Sequence, residues 1–227
     1  IEAEQVTTIH FVPSMLGVFL AGSTAQESTS LRRVICSGEA LTVEQVRSFR
    51  ELFPKVRFDN LYGPTEASVH VTIWSAPEDV SSLTRVPIGR PVANTSLYVL
   101  DSSDNIVPIG VIGELCIGGD QVALGYLNRE ELTKEKFVTN PFKKGDRLYK
   151  TGDLARWLAD GTVEYLGRVD SQVKVRGYRI ELGEIENALS LLPKVGQCSV
   201  LAKADNGGNK HLKAYIVPEG ELEKEWK

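Results

Sequence analysis

The chain has 227 residues, 42% hydrophobic and 25% charged, the make-up of an ordinary soluble globular protein with a sizeable core and one to two domains. Its 26 basic and 30 acidic side chains leave a net charge of −4, which gives no footprint for nucleic acid or an anionic membrane. Cys36, Cys116 and Cys198 show no metal-ligand or redox spacing, and no run has the form of a transmembrane helix or signal peptide. Buried thiols in a reducing cytoplasm are the expectation. The chain opens on Ile1 rather than Met, so it reads as a piece of something longer.

The first third alternates strand and helix. Residues 6–12 are β-rich and end at Pro13. Residues 14–22 predict a short helix with Ser14 as its cap. Residues 31–38 read as a strand ending on Gly38. Residues 42–54 start with the capping box Thr42-x-x-Gln45, then place Val46, Phe49, Leu52 and Phe53 on one face before Pro54. Residues 56–63 form a third strand. This β-α-β-α-β order predicts a parallel sheet with helical crossovers.

The middle third changes character. The runs TSLYVLD, NIVP, GELCIGG and QVALGYL read as short strands separated by turn residues, which predicts a barrel or small sandwich. Residues 154–168 predict a hairpin turning at Asp160-Gly161. A helix is then expected from about Gly183 to Leu192, with Leu182, Ile185, Leu189 and Leu192 as its apolar stripe and Pro193 as its stop. Residues 197–218 predict a second hairpin turning at 206–209, and residues 219–227 a polar helical end.

In open parallel sheets, ligands sit at the carboxyl ends of the strands. Those ends carry His10, Ser37-Gly38 and Asn60-Leu61-Tyr62-Gly63, and Ile35 shares a face with Ser37. In the segment DNLYGPTEASVHV, Tyr62 offers a flat face to a ring, with stacking on a base worth about 1–3 kcal/mol. Gly63 admits a close backbone approach and Pro64 stiffens the turn. Thr65 can donate to phosphate, and Glu66 is a hard oxygen ligand for Mg2+. On the residues alone, a plain turn with a helix cap and a surface charge explains the same segment. Val69-His70-Val71 follows as an alternating run.

Four ordered motifs carry a resemblance: NLYGPTE, GELCIGGDQVALGYL, YKTGDLARW and GRVDSQVKVRGYRIELGEIE. Together they resemble an adenylation domain of a nonribosomal peptide synthetase, in the adenylate-forming superfamily. The resemblance implies an α/β fold with a β-barrel. Residues 1–85 would be part of a parallel-sheet core and 86–169 a distorted β-barrel subdomain. Residues 170–227 would be a partial α+β lid hinged at Asp170. It implies an enzyme that joins ATP and an amino acid into an aminoacyl-adenylate. The acyl group then passes to the phosphopantetheine thiol of a carrier domain, with a condensation domain as a further partner.

By the family pattern, Asn60, Tyr62, Gly63, Thr65, Asp153, Tyr165 and Arg168 hold the nucleotide, Glu66 binds Mg2+, and Gly177 lies on the pantetheine approach. Locally, Asp153 and Asp170 also read as turn residues and Tyr165 as a cross-strand aromatic. His10, Ile35, Ser37, Gly38, Leu61, Val69 and His70 match the amino-acid pocket. His10, Ser37 and Leu61 resemble serine-activating domains, whereas His70 stands where such domains usually carry Asp. The histidines also read as hydrogen-bonded core residues. Leu124 replaces the usual Arg before Gly125-Tyr126, and Gln121 stands where Gly is common.

The family's phosphate loop and C-terminal lysine are not in the sequence, so no catalytic residue is assigned and the isolated chain is expected not to turn over. The rival readings are an acyl- or aryl-CoA synthetase of the same superfamily and a non-catalytic piece that docks a carrier domain.

Overall fold

In the computed structural model, which describes residues 1–22, 29–204 and 210–219, three parallel strands found the first sheet. They are β1 (Thr8–Phe11), β2 (Arg33–Cys36) and β3 (Arg57–Tyr62), with α1 (Pro13–Ala21) and α2 (Val43–Leu52) between them. The capping box forms as the sequence predicts. Thr42 accepts from the Gln45 backbone N–H at 3.2 Å, and Gln45 Oε1 accepts from the Thr42 N–H at 3.0 Å. Val46 and Phe49 then pack with Leu16, Val34, Cys36 and Phe58 in a core on one face of the sheet. Phe49 stacks on Phe58 with ring centroids 4.1 Å apart.

The start of α1 differs from expectation. Val12 is the N-cap and Pro13 takes the first helical position, where its missing N–H costs nothing. Ser14 is thereby drawn inside the first turn. Its N–H donates to Glu39 Oε2 at 3.0 Å, and its buried hydroxyl has no hydrogen-bond partner among the described residues.

The sheet is mixed rather than purely parallel. β4 (Thr72–Ser75) pairs antiparallel with β3, and β5 (Arg90–Pro91) antiparallel with β4. Residues 69–71 are not a strand, because a 3-10 turn at Thr65–Ala67 and left-handed Ser68 and Val69 intervene.

The second sheet is antiparallel. It contains β6 (Thr95–Leu100), β7 (Gly113–Gly119), β8 (Phe137–Thr139), β9 (Arg147–Trp157) and β10 (Val163–Arg168). Its order is β10-β9-β7-β6, with β8 also on β9, and the ladder is open where the sequence predicts a barrel. One reason is that residues 121–127 form no strand. Their backbone groups are met elsewhere: Ala123 N–H donates to Glu66 O, and Arg147 donates to the carbonyls of Ala123 and Leu124. Likewise residues 105–108 contribute only the bridge Leu100–Ile106. The Asp160-Gly161 hairpin turn is present, with Gly161 at φ 77°. α3 (Glu130–Lys136) adds a helix beyond those expected, and its acidic first turn and basic last turn complement the helix dipole.

The chain divides into two compact units, Ile1–Val169 and Asp170–Lys227. The second unit holds the hairpin β11 (Val173–Val175) and β12 (Tyr178–Ile180), then α4 (Leu182–Ser190), then β13 (Val195–Ala204) paired with β14 (Lys210–Pro218). α4 ends before Leu192, which stands exposed outside the expected stripe; the residue preceding a proline disfavours helix. Glu186 ties α4 to β13 by accepting from the Val200 N–H at 2.7 Å. The expected turn at 206–209 and the polar end at 220–227 lie outside the described residues.

Arg50, in the last turn of α2, is buried and donates to the carbonyls of Pro77, Val56 and Ala76 at 2.8, 2.7 and 2.5 Å. Replacing Arg50 with Met leaves those carbonyls unmet. Urea unfolding should show a loss of about 2–4 kcal/mol. A loss within about 0.5 kcal/mol, the range of an ordinary surface substitution, would show the clamp to be idle.

Candidate functional site

The carboxyl end of β3 leads directly into the site. Asn60 and Tyr62 lie on one face of the strand and Leu61 on the other. After Tyr62 the chain folds back on itself. Val71 N–H donates to Tyr62 O at 2.8 Å, and Val69 N–H to Pro64 O at 3.2 Å. A Cβ on Gly63 would sit 2.4 Å from the Val69 carbonyl oxygen. The close approach at Gly63 is therefore made by the protein's own backbone. Val69 lies at φ 75°, a left-handed conformation that costs a β-branched residue about 1–3 kcal/mol. Its side chain is 55% exposed.

Tyr62 faces the second sheet. Its hydroxyl donates to Asp153 Oδ2, and Arg168 Nη1 donates to Asp153 Oδ1 at 2.7 Å. Asp153 on β9 and Arg168 on β10 are direct cross-strand partners. The Tyr165 ring lies 6.3 Å from that of Tyr62. Asp153 itself is held from behind: its N–H donates to Thr151 Oγ1 at 2.9 Å, and that hydroxyl donates to Leu115 O at 2.6 Å. The preceding Gly152, at φ 74°, gives its N–H to Glu114 Oε1 at 2.8 Å. Burial pushes the Tyr62 phenol well up, and the Asp153 charge adds to the shift, so Tyr62 keeps its proton and donates. Asp153 is buried, and Arg168 offsets the cost of keeping a carboxylate there.

Of the expected nucleotide residues, the structure gathers Tyr62, Asp153, Tyr165 and Arg168. Asn60 is buried deeper on the same strand face, and its Nδ2 donates to Pro87 O at 2.9 Å. Thr65 is exposed on the 3-10 turn.

Glu66 is buried on that turn. Its carbonyl accepts from Ala123 N–H at 2.9 Å and its Oε1 from the Tyr126 hydroxyl at 2.7 Å. Tyr126 is thus a site residue, although its motif points only to barrel packing. The Gly125-Tyr126 pair is visible in the sequence, but nothing there links it to Glu66. Burial, the Tyr149 hydroxyl and Glu66 together push the Tyr126 phenol up, so it stays a donor. No group of three or more His, Cys, Asp or Glu that could hold a metal exists among the described residues.

A second cluster sits at the ends of β1 and β2. His10 Nε2 lies 2.7 Å from Ser37 Oγ, and His70 Nε2 lies 3.4 Å from the same oxygen. The two rings meet edge-on with centroids 5.8 Å apart. One hydroxyl can donate to one ring and accept from the other. Ile35 and Leu61 are half-buried on the same sheet face, since Ile35 pairs with Asp59 and side chains alternate. Gly38 turns the chain away at φ 89°.

In the second unit, Asp170 Oδ1 accepts from Gln172 N–H at 3.1 Å, as in an Asx turn. Gly177, at φ 81°, follows Arg176, at φ 52°, in the turn between β11 and β12, where a tight hairpin needs two positive φ angles.

With this geometry in place, the comparisons define the class. Residues 1–127 match the model of the AMP-binding enzyme family, and the chain belongs to that family. It is 47% identical over 223 residues to tyrocidine synthase 3 of Brevibacillus parabrevis, a match spanning 98% of this chain and 3% of that protein. It is 45% identical over 222 residues to gramicidin S synthase 2 of Aneurinibacillus migulanus, spanning 98% of this chain and 5% of that protein. The chain thus covers only a small part of these relatives. Its fold is similar to an NRPS protein containing adenylation and PCP domains bound to a vinylsulfonamide inhibitor, with TM-score 0.88 and 27% identity, covering 96% of this chain and 38% of that one. It also resembles an artificially fused adenylation-PCP di-domain NRPS from Klebsiella oxytoca, with TM-score 0.85 and 27% identity, covering 99% of this chain and 42% of that one. Among the described residues, no helix is long and apolar enough to cross a membrane.

Burial, then the nearby His10, lowers the His70 pKa below its ordinary 6.5. The unfolded chain therefore takes up the proton first. The stability that His70 contributes is present above about pH 6.5 and is lost as pH falls through its folded value. Thermal melts from pH 7.5 down to 5 should show this decline, and His70→Gln should flatten it. An NMR titration placing His70 at or above 6.5 would contradict the geometry.

Proposed function

We propose that the chain is the amino-acid-activating portion of a nonribosomal peptide synthetase adenylation domain. In the first step, a carboxylate oxygen of the amino acid attacks the α-phosphorus of ATP, and pyrophosphate leaves. In the second, a phosphopantetheine thiol on a peptidyl carrier domain attacks the acyl carbon, loses its proton and displaces AMP. A condensation domain would use the resulting thioester. The names of the relatives and the domains of the solved neighbours support this reading.

The observation that carries it is the Asp153 carboxylate, oriented by Tyr62 and Arg168 beside the Tyr165 ring. A fixed carboxylate suits the paired hydroxyls of a ribose, and the tyrosine rings suit the adenine. Asn60 lines the adenine side, and Thr65 donates to phosphate from its exposed turn. Gly63 keeps that turn tight.

Glu66 fits Mg2+ as one buried, oriented carboxylate. That cation commonly takes one or two protein carboxylates and completes its shell with water and substrate phosphates. When bound, it would neutralise charge on the phosphates. The small lid, residues 170–227, would swing about Asp170, with Gly177 on the pantetheine path.

The substrate is a small polar amino acid such as serine. His10, Ser37 and His70 offer hydrogen-bonding groups in one cluster, with Ile35, Gly38, Leu61 and Val69 completing the lining. On the intact enzyme, ATP–pyrophosphate exchange across an amino-acid panel should be strongest with serine. Asp153→Ala should raise the KM for ATP by about 10–100-fold, the cost of charged hydrogen bonds. Strong preference for a bulky aliphatic substrate would remove serine, and absence of exchange across the whole panel would remove the adenylation reading.

A further inference from the structure

Leu124 and Leu127, in the loop that carries Tyr126, are 88% and 89% exposed, so those two side chains do little to anchor it by burial. Val122, Ala123 and Tyr126 pack against the core cluster, and polar pins add to that hold. Arg147 donates to the carbonyls of Ala123 and Leu124 at 2.8 and 2.9 Å. Tyr126 N–H donates to Thr133 Oγ1 at 2.9 Å. Gly125 lies at φ 146°, and a Cβ there would come within 2.4 Å of Thr133 Cγ2, so the loop lies tight against α3. The Tyr126 ring packs edge-on against Phe137 at 5.3 Å, which fixes its direction.

All these contacts converge on one output. The Tyr126 hydroxyl reaches Glu66 Oε1 at 2.7 Å, and the loop's Ala123 N–H holds the Glu66 carbonyl at 2.9 Å. Glu66 is thus gripped at side chain and main chain by a loop more than fifty residues away in sequence. A carboxylate on a short 3-10 turn has several rotamers open to it, and a donor anchored on a different sheet selects among them.

We propose that Tyr126 is a positioning residue for Glu66, and that through it the 121–127 loop sets the enzyme's affinity for the divalent cation that accompanies the nucleotide. This rests on the reading of Glu66 as the cation's carboxylate. Tyr126 touches neither cation nor nucleotide in this role. It holds Glu66 Oε1 at 2.7 Å and so fixes the orientation of the carboxylate group. Partners of metal-binding carboxylates commonly matter 10–100-fold in metal affinity.

The test uses Mn2+ as the probe. Its binding to the intact enzyme is followed by electron paramagnetic resonance with α,β-methylene-ATP present, and analogue binding is measured separately without metal. Tyr126→Phe keeps the ring and removes the donor. It should weaken Mn2+ by about tenfold and leave metal-free analogue binding unchanged. Glu66→Gln should weaken Mn2+ at least as much, and adding Tyr126→Phe to it should change nothing further. If Glu66→Gln weakens Mn2+ and Tyr126→Phe does not, the positioning role falls while the reading of Glu66 stands. If Glu66→Gln has no effect, that reading falls and the inference with it. If Tyr126→Phe weakens metal and metal-free nucleotide equally, Tyr126 is structural and the proposal is overturned.

Discussion

The hydrogen bond from Tyr62 to Asp153 joins the end of a strand in the first sheet to a strand in the second. Neither sheet makes the site alone. The parallel strands deliver an aromatic hydroxyl; the antiparallel ladder delivers a carboxylate with a guanidinium across from it. A buried carboxylate is costly unless it is paired and hydrogen-bonded, so Asp153 at this place depends on both partners. The same requirement fixes Tyr62, because a phenol buried this deeply needs an acceptor.

The segment from Tyr62 to Val71 belongs to core and site at once. Tyr62, Ala67 and Val71 pack with Ile88, Leu97, Leu115 and Phe137 in one buried cluster. Between them stand Thr65, exposed, and Glu66, buried but polar. Apolar residues hold the turn in place, and the polar ones are aimed by it. Strain at Val69 is tolerated because the backbone bonds at Pro64 and Tyr62 over-determine the loop. On the β1–β2 side, His10, Ser37 and His70 form a separate polar cluster.

Local signals in the sequence are reliable where the structure is decided locally. The Thr42–Gln45 capping box, the Asp160-Gly161 turn and the parallel crossovers all form as read. What the sequence does not reveal is settled by distant partners or by which of two neighbouring signals prevails. Residues 121–127 have a strand-like composition, yet Arg147 and Glu66 take their backbone groups. Ser14 has the chemistry of a cap, yet Val12 is the cap and Pro13 the first helical residue. The pairing of β4 with β3 is antiparallel because a short turn, not a helix, joins them. For the candidate site, the motifs bring Tyr62, Asp153, Tyr165 and Arg168 to attention together. Tyr126 escapes because its partner lies 60 residues upstream.

The bond from Tyr62 to Asp153 spans 91 residues of chain. Closing so long a loop adds little to the equilibrium cost, since each doubling of length costs only about 0.6 kcal/mol. It matters for the order of events. The β9–β10 hairpin pairs residues close in sequence and can form early. The parallel pairings of β1 with β2 and β2 with β3 reach further along the chain and form more slowly, and the bond between the two sheets waits for both. The Tyr62–Asp153 pair therefore exists only in chains that have finished folding the first unit. Misfolded or half-made copies would lack the carboxylate at the tyrosine.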